Sequence, residues 1–425
     1  VPVYNPGALG DLGGARNTLA EHGIILGGRY AGELAANTSG SLLGTAYSSE
    51  FALSIDFDLQ KLTGTPGGAV HSIFTERFGS SLTANAIGNI ASVQEIYGAG
   101  LTPRLTELDY QQSFDENKVN VRIGRVIMQN DYAAASSYWG GNLWCNYQTN
   151  AICGTPVAAP NNSGYGYYPA SEWGVTVKLQ PSDRWYTQAG AFQVNPVYGE
   201  RGEGFNLSLH GDTGVMFPLE TGVTFRNAAK DPLANLRLGL YYDTSNVNTA
   251  VDDIAKFIPP GNPAVGALPA TMYRGRVGGW LLADALIAGS AKAGERGTAL
   301  FAAFEYGDPQ TAFISTYVEG GIVRHGTFSS RPLDTIAAGF DVINVNPRIA
   351  AEELALQNVG YAVPINSSET GLELNYGLQV APSIVVRPGV QYILYPAGES
   401  AIVYPGGFAG LKNAFVFGLG TYIAF

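Results

Sequence analysis

Apolar and polar residues alternate with a period of two in run after run along this chain. Ile24, Leu26, Tyr30, Leu34 and Ala36 share one phase, and Arg29 and Glu33 occupy the other. Tyr47, Phe51, Leu53, Ile55 and Phe57 oppose Glu50, Asp56 and Asp58, while Val119, Val121 and Ile123 oppose Asn120 and Arg122. The pattern returns with Trp173, Val175, Val177 and Leu179 against Glu172, Thr176 and Lys178, and with Leu236, Leu238, Leu240 and Tyr242 against Arg237 and Asp243. It continues through Leu372 to Val380 and Ile384 to Tyr392, and the last eleven residues, Phe415 to Phe425, alternate up to a terminal Phe. Successive side chains of a strand point to opposite faces, so each run predicts a strand with one apolar and one polar face.

The connections alternate as well. Tight polar turns at Asp115-Glu116-Asn117-Lys118, Gln180-Pro181-Ser182-Asp183 and Ala381-Pro382-Ser383 are separated by long loops near 79–100, 128–171, 193–212, 243–271, 342–370 and 396–411. Connections near 221–233 and 324–333 are longer than this rule wants, and the one near 307–311 is shorter. Allowing roughly 25 residues per strand and connection, the chain has room for about 16 or 18 strands, and the number of runs favours 16. One segment does not alternate: Asp11 to Gly23 predicts a short helix capped by Asp11 or Asn17.

Composition turns this pattern into a location. Only 14% of the 425 residues are charged, against roughly 25% in ordinary soluble domains, while hydrophobic content is an unexceptional 46%. Helical membrane spans are excluded, because the best apolar stretch, Val277 to Ala293, is broken by Asp284 and by small residues. Water is absent from the bilayer core, so a sheet that crosses it must close on itself and satisfy every peptide group internally. One face then meets lipid and the other an aqueous lumen, and low total charge follows. The expectation is an all-β, transmembrane antiparallel β-barrel, with residues 1–23 as an N-terminal segment and residues 24–425 as the barrel. The short helix then lies on the periplasmic mouth or partly plugs it.

Net charge −11 with scattered Lys and Arg excludes a nucleic-acid partner, since phosphate neutralisation needs clustered cations. His22, His71, His210 and His325 fall in no nucleophile, metal or phosphate-loop motif, so the chain reads as neither an enzyme nor a cofactor or metal protein. Cys145 and Cys153 read as a loop disulfide formed in an oxidising compartment, with two free thiols as the alternative. Val1, with neither an initiator Met nor a charged-then-apolar leader, leads to the expectation of a chain whose export signal has been removed.

Several ordered segments resemble the OprB-type carbohydrate-selective porins of bacterial outer membranes. They are Gly10-Asp11-Leu12-Gly13-Gly14 with Arg16, Leu19 and Gly23; Ser92 to Gly98; Leu105-Thr106-Glu107-Leu108; and Val121-Arg122-Ile123-Gly124-Arg125. Cys145 to Asn162, Tyr168 to Gly174, Gln188 to Pro196 and Gln379 to Pro396 extend the likeness nearly end to end. The resemblance implies a sixteen-stranded barrel narrowed by loops, with 128–171 as the constriction loop, that admits monosaccharides such as glucose and small polyols by passive diffusion. It implies lipid and lipopolysaccharide as surroundings, and it leaves homotrimer and monomer both open. The alternatives are a pore for small organic anions and a less selective general porin.

A neutral sugar presents paired hydroxyls and an apolar C–H face, which calls for bidentate donors, carboxylate acceptors and an aromatic plane. Arg supplies a rigid donor fork that stays charged. Lumen-facing candidates are Arg29, Glu33, Glu107, Asp109, Arg122, Arg125, Arg274, Arg276, Asp284, Arg387 and Gln391, with Trp280 as an aromatic plane. Trp139, Trp144 and Tyr147 are the aromatic candidates of the constriction loop. The mixed signs favour a neutral polyol over an anion.

Overall fold

The structure is a computed structural model and describes residues 7–134, 136, 143–154, 156–248, 272–290, 292, 294–358, 362–399 and 410–425. Sixteen strands form one closed antiparallel barrel. They are β1 Ile24–Asn37, β2 Thr45–Asp58, β3 Gly68–Gly79, β4 Arg104–Phe114, β5 Val119–Val126, β6 Glu172–Ser182, β7 Trp185–Val194 and β8 Gly214–Arg226. The second half comprises β9 Pro232–Asn248, β10 Met272–Gly289, β11 Gly297–Gly307, β12 Ile314–His325, β13 Thr335–Val345, β14 Ser368–Ala381, β15 Ile384–Leu394 and β16 Ala414–Ala424. Each strand pairs with its chain neighbours, and β1 pairs with β16 from Arg29↔Ala424 to Asn37↔Val416. The terminal Phe425 locks the seam: its amide donates to Gly28 O at 2.9 Å and its ring stacks on Phe51 at 5.3 Å. Closure leaves no unpaired edge for lipid to meet.

The alternation read from the sequence is the inside and outside of this wall. On β9 Leu236, Leu238, Leu240 and Tyr242 are exposed on the outer face, while Asn235, Tyr241 and Asp243 are buried within. Turns at 115–118, 183–184 and 382–383 mark one end, and the long connections 80–103, 127–171, 195–213 and 346–367 mark the other. The connection expected near 221–233 shrinks to 227–231, because β8 and β9 both extend into it. By contrast, 326–334 remains long and is organised by Arg331, whose Nε donates to Asp334 Oδ2 at 2.8 Å.

The N-terminal helix α1 spans Ala15–Glu21. Its expected side-chain cap is displaced: Gly14, at φ 94, occupies the cap without a side-chain bond, and Asp11 Oδ1 instead accepts from Asn17 N at 2.9 Å. Buried Arg16 ties the helix to the barrel by donating to Gly10 O and Leu26 O. The helix therefore sits at the short-turn mouth beside the β1–β16 seam.

Two of the long connections fold into the lumen. Residues 127–171 contain no Lys, Arg, Glu or His and a single Asp, Asp131, so this loop has almost no side-chain charge with which to meet an acidic wall. Its backbone does so instead. Glu220 on β8 accepts from Ala133 N at 2.8 Å, Asp243 on β9 from Gly164 N at 2.8 Å, and Glu305 on β11 from Ala158 N and Ala159 N. Glu373 on β14 accepts from Gln148 N and Thr149 N, both at 2.8 Å. Glu369, also on β14, receives Ile90 N and Ala91 N of the 80–103 loop. Each carboxylate offers two oxygens, which suits a pair of adjacent amides removed from water. Between these anchors an apolar core forms inside the barrel, joining Met128, Tyr132, Tyr147, Ile152 and Tyr165 of the loop to Phe192, Trp280, Phe301, Tyr317 and Ile343 of the wall.

Glu373→Ala leaves two buried loop amides without an acceptor, a loss of about 1–3 kcal/mol for a charge-assisted anchor. Planar-bilayer recordings are expected to show larger and noisier single-channel currents, with the folded barrel still heat-modifiable on gels. Wild-type currents in this variant would mean that the wall carboxylates do not set the aperture.

Candidate pore constriction

The loop core fills the side of the lumen lined by β7 to β13 and leaves a cavity of about 870 Å³ on the other side, bounded by β1 to β3, β15, β16 and the inner edges of both loops. Its central feature is built by register. Glu50 on β2 stands directly across from Arg77 on β3, and Ala31 of β1 lies on Glu50's other flank, so that Arg29 is the diagonal neighbour. Residues so placed share one face of the sheet. Arg29 Nη2 donates to Glu50 Oε1 at 2.9 Å and Arg77 Nε to Glu50 Oε2 at 2.7 Å. Tyr168, from the end of the 127–171 loop, donates its hydroxyl to Glu50 Oε1 at 2.7 Å. Its ring lies under both guanidiniums, with centroids 5.0 Å from Arg29 Cζ and 5.3 Å from Arg77 Cζ. Fully buried Glu50 is thus shared among three donors, whereas the Arg29 side chain keeps 56% of its surface open to the lumen.

Facing this group is Arg387 on β15. Its Nη1 donates to Cys145 O at 3.1 Å and its Cζ lies 4.7 Å from the Tyr422 ring. The Tyr422 hydroxyl in turn donates to Glu33 Oε1 at 2.9 Å. Half-buried Glu95, from the 80–103 loop, lines the same cavity with Gln129 and Asn130. Desolvation raises its carboxyl above the usual carboxylate range; Arg77 opposes that shift and Glu50 reinforces it. The disulfide Cys145–Cys153 closes the loop turn beside Arg387.

Among the sequence-derived candidates, Arg29 and Arg387 line this cavity, and Glu33 supports it from behind Tyr422. The others are engaged elsewhere. Arg122 is surrounded by Glu107, Asp109 and Asp131, a closed cluster that braces β4 and β5 against the start of the loop. Arg276 donates to Asp243 Oδ2 at 2.6 Å and to Asn162 O, fixing the loop's last third. Gln391 donates to Val93 O, and Asp284 accepts from Asn235 Nδ2 at 2.6 Å. Arg274 is exposed at the long-loop end of β10.

Three placements differ in kind from the sequence expectation. Trp280 presents no free ring to the lumen, because it stacks on Tyr241 and meets Tyr165 edge-on, with Nε1 donating to Glu220 Oε2 at 2.7 Å. Tyr147 is buried in the loop core, its hydroxyl against Ala338 O and Ile322 O of the wall. Arg125, three positions after Arg122, stands on the phase of Val121 and Ile123 and faces away from the lumen. Gly124, at φ 143, pairs with Asp109, and Arg125 pairs with Leu108 and Trp173 on the opposite face. There it is covered by the 195–213 loop, with its Cζ 3.8 Å from the Tyr198 ring and bonds to Asn206 O and Ser171 O. Trp144 begins a single 3₁₀ turn, Trp144–Asn146, and Trp139 lies outside the described residues.

Glu50, Arg77, Glu95, Tyr168 and Tyr422 were not among the sequence candidates. Glu50 stood on a polar phase and Arg77 on the phase of His71, so alternation alone put both in the lumen. What singles them out is that register makes them neighbours, which no single run reveals.

The comparisons with known proteins agree with this architecture. A family profile described as carbohydrate-selective porin, OprB family, matches residues 44–425. Porin B of Pseudomonas aeruginosa is 31% identical over 432 aligned residues, covering 96% of this chain and 91% of that protein. The putative porin QuiX of Acinetobacter baylyi is 27% identical, over 93% of this chain and 89% of its own length. The high-pH structure of Pseudomonas putida OprB superposes with a TM-score of 0.87 at 29% identity, covering 100% of this chain and 99% of that one. With its sixteen-stranded wall and inward loops, the chain is an integral outer-membrane protein belonging to the OprB family of carbohydrate-selective porins.

Proposed function

We propose that the pore passes monosaccharides and small polyols by diffusion, and that the Arg29–Glu50–Arg77–Tyr168 group, with Arg387 and Glu95, selects them. The observation that carries this reading is the sharing of one buried carboxylate and one tyrosine ring by two arginines. Glu50 offsets one of their two charges and holds both guanidinium planes in place, so a solute meets oriented donors in a reduced field. Hydroxyl pairs fit such forks, and the Tyr422 and Tyr168 rings offer surfaces for C–H groups. Flux requires that binding stay weak. A second reading, selectivity for small organic anions, draws on the excess of guanidiniums at the cavity: Arg29, Arg77 and Arg387 face Glu50 and a Glu95 whose proton is held more tightly than usual.

Liposome swelling with purified protein distinguishes the two. Glucose is expected to enter faster than amino acids and anions of similar size; equal rates would remove the carbohydrate reading, and faster anions would favour the second.

Charge at the constriction is tested separately. Removing one unit charge about 5 Å from a passing ion changes its energy by about 1 kcal/mol in a water-like medium. Arg77→Ala is therefore expected to change cation and anion permeability roughly fivefold each in opposite directions, moving the cation-to-anion ratio roughly 25-fold toward cations in reversal-potential measurements. Arg125→Ala, away from the lumen, should leave the ratio unchanged.

Acidification gives a third test. The Glu95 carboxyl is raised, so it gains its proton at a higher pH than an ordinary carboxylate as pH falls. Its negative charge is lost in that window, and anion permeability should rise there. Glu95→Gln should show the raised anion permeability at neutral pH and lose the step.

A further inference from the structure

We propose that the 195–213 connection is a membrane-facing flap, which lies against the outer wall of the barrel and presents Phe205, Leu207 and Leu209 to the acyl chains of the bilayer. The wall is short beneath this connection. β5 has 8 residues, against 17 in β9 and 18 in β10, and a tilted spanning strand needs about 9–11. Arg125 lies near the end of β5, directly across from Leu108 of β4 and two positions beyond Ile123, both of which are exposed on the outer face. Its distance from Val119, six positions away, corresponds to about 15 Å of height at about 3.3 Å per residue and a tilt of about 40°. That height falls inside an apolar band about 25 Å tall, where a guanidinium open to lipid is strongly disfavoured.

The connection takes Arg125 out of contact with lipid. The residue is 2% exposed, with Nη1 donating to Asn206 O at 2.9 Å, Nη2 to Ser171 O at 2.7 Å and the Tyr198 ring against its plane. On β4, beyond the last pairing with β5 at Leu108, Leu105 N donates to Gly204 O at 2.9 Å. The flap therefore stands where β5 has ended and takes over part of its bonding.

The carbonyls of the flap are captured in series by side chains. Asn206 O accepts from Arg125, Leu207 O from Trp173 Nε1 at 3.2 Å and Ser208 O from the Tyr198 hydroxyl at 2.6 Å. Leu209 O accepts from Gln193 Nε2 at 3.3 Å, and His210 O from Asn195 Nδ2 at 2.9 Å. Five consecutive acceptors are thus satisfied by protein, and irregular backbone is tolerated at membrane depth only when protein satisfies its polar groups. A connection surrounded by water has no such need.

The side chains point to the same partner. The stretch 204–211 contains no Lys, Arg, Asp or Glu, while Glu200, Arg201, Glu203 and Asp212 flank it. Within it Phe205, Leu207 and Leu209 alternate and are all exposed, adjoining the outward surface of Ile123 and Leu108. The apolar band of the wall therefore continues over the flap.

Site-directed spin labelling of the full-length protein in phospholipid liposomes tests this. The chain has two cysteines, joined in the disulfide, so one introduced cysteine is the single free thiol. Each labelled variant is first shown to keep the heat-modifiable gel mobility of a closed barrel. Labels at Leu207→Cys and Leu209→Cys should be relaxed by oxygen and little by an aqueous nickel chelate. Their depth parameter should shift toward that of Leu240→Cys on the outer wall and away from that of Glu295→Cys at an exposed turn. Nickel accessibility equal to that of Glu295→Cys overturns the flap, because the connection then stands in water. Shielding from both relaxants, with dipolar broadening that disappears on dilution with unlabelled protein, overturns it in favour of contact between copies of the chain.

Discussion

The pore depends on lumen carboxylates that hold pairs of loop amides. A barrel of sixteen strands is wide, and without an inward loop it would discriminate little. A loop placed inside it exchanges solvent for a wall, and its backbone N–H groups need acceptors there. The 127–171 loop has a single charged residue, Asp131, whose ion pair with Arg122 fastens only its start. Glu220, Asp243, Glu305 and Glu373 fasten it through the main chain instead, on four different strands. Main-chain capture is specific to position rather than to side-chain type, which allows a loop rich in Ala, Gly, Asn and Tyr to be held at many points.

This arrangement changes the meaning of the charge. An excess of eleven acidic residues over basic ones looks like an acidic lumen when read from composition. Much of that excess is instead turned toward loop amides and is invisible to a solute. The charge lining the open cavity comes from a smaller group in which Arg29, Arg77 and Arg387 stand with Glu50 and Glu95. The lumen is also less polar than the alternation of the strands implies. The side lined by β7 to β13 is a packed apolar core between loop and wall, in which Trp280 and Tyr147 are structural members.

The wall was legible in the sequence because its signal is local. Period-two alternation, turn residues and a low charged fraction each report on a few consecutive positions, and together they gave the strands, their faces and the turn-and-loop polarity. The short α1 was legible for the same reason, although its cap was not: Asp11 bonds Asn17 from outside the helix start. The constriction was legible only in part. Arg29 and Arg387 were found by phase, but phase cannot say which of many inward residues are neighbours, and Arg125, expected in the lumen, stands on the phase of Val121 and Ile123 in an unbroken register with Leu108. Tyr168 and Glu95 arrive from loops, where there is no periodicity to read.

In the proposed reading, positioning the loop and selecting the solute are one event at Glu50. Its carboxylate joins two wall arginines to Tyr168, so the contact that seats the end of the constriction loop also orients the two guanidiniums that a solute encounters. A solute hydroxyl reaching Arg29 meets a group already partnered and need not break that partnership, because a guanidinium has five donors and Glu50 occupies only some of them. The gain on binding is correspondingly modest and the geometry remains defined whether the pore is occupied or not. A diffusion pore needs this combination: recognition without a deep energy minimum, obtained by satisfying the charged groups internally and leaving only their spare donors for the solute.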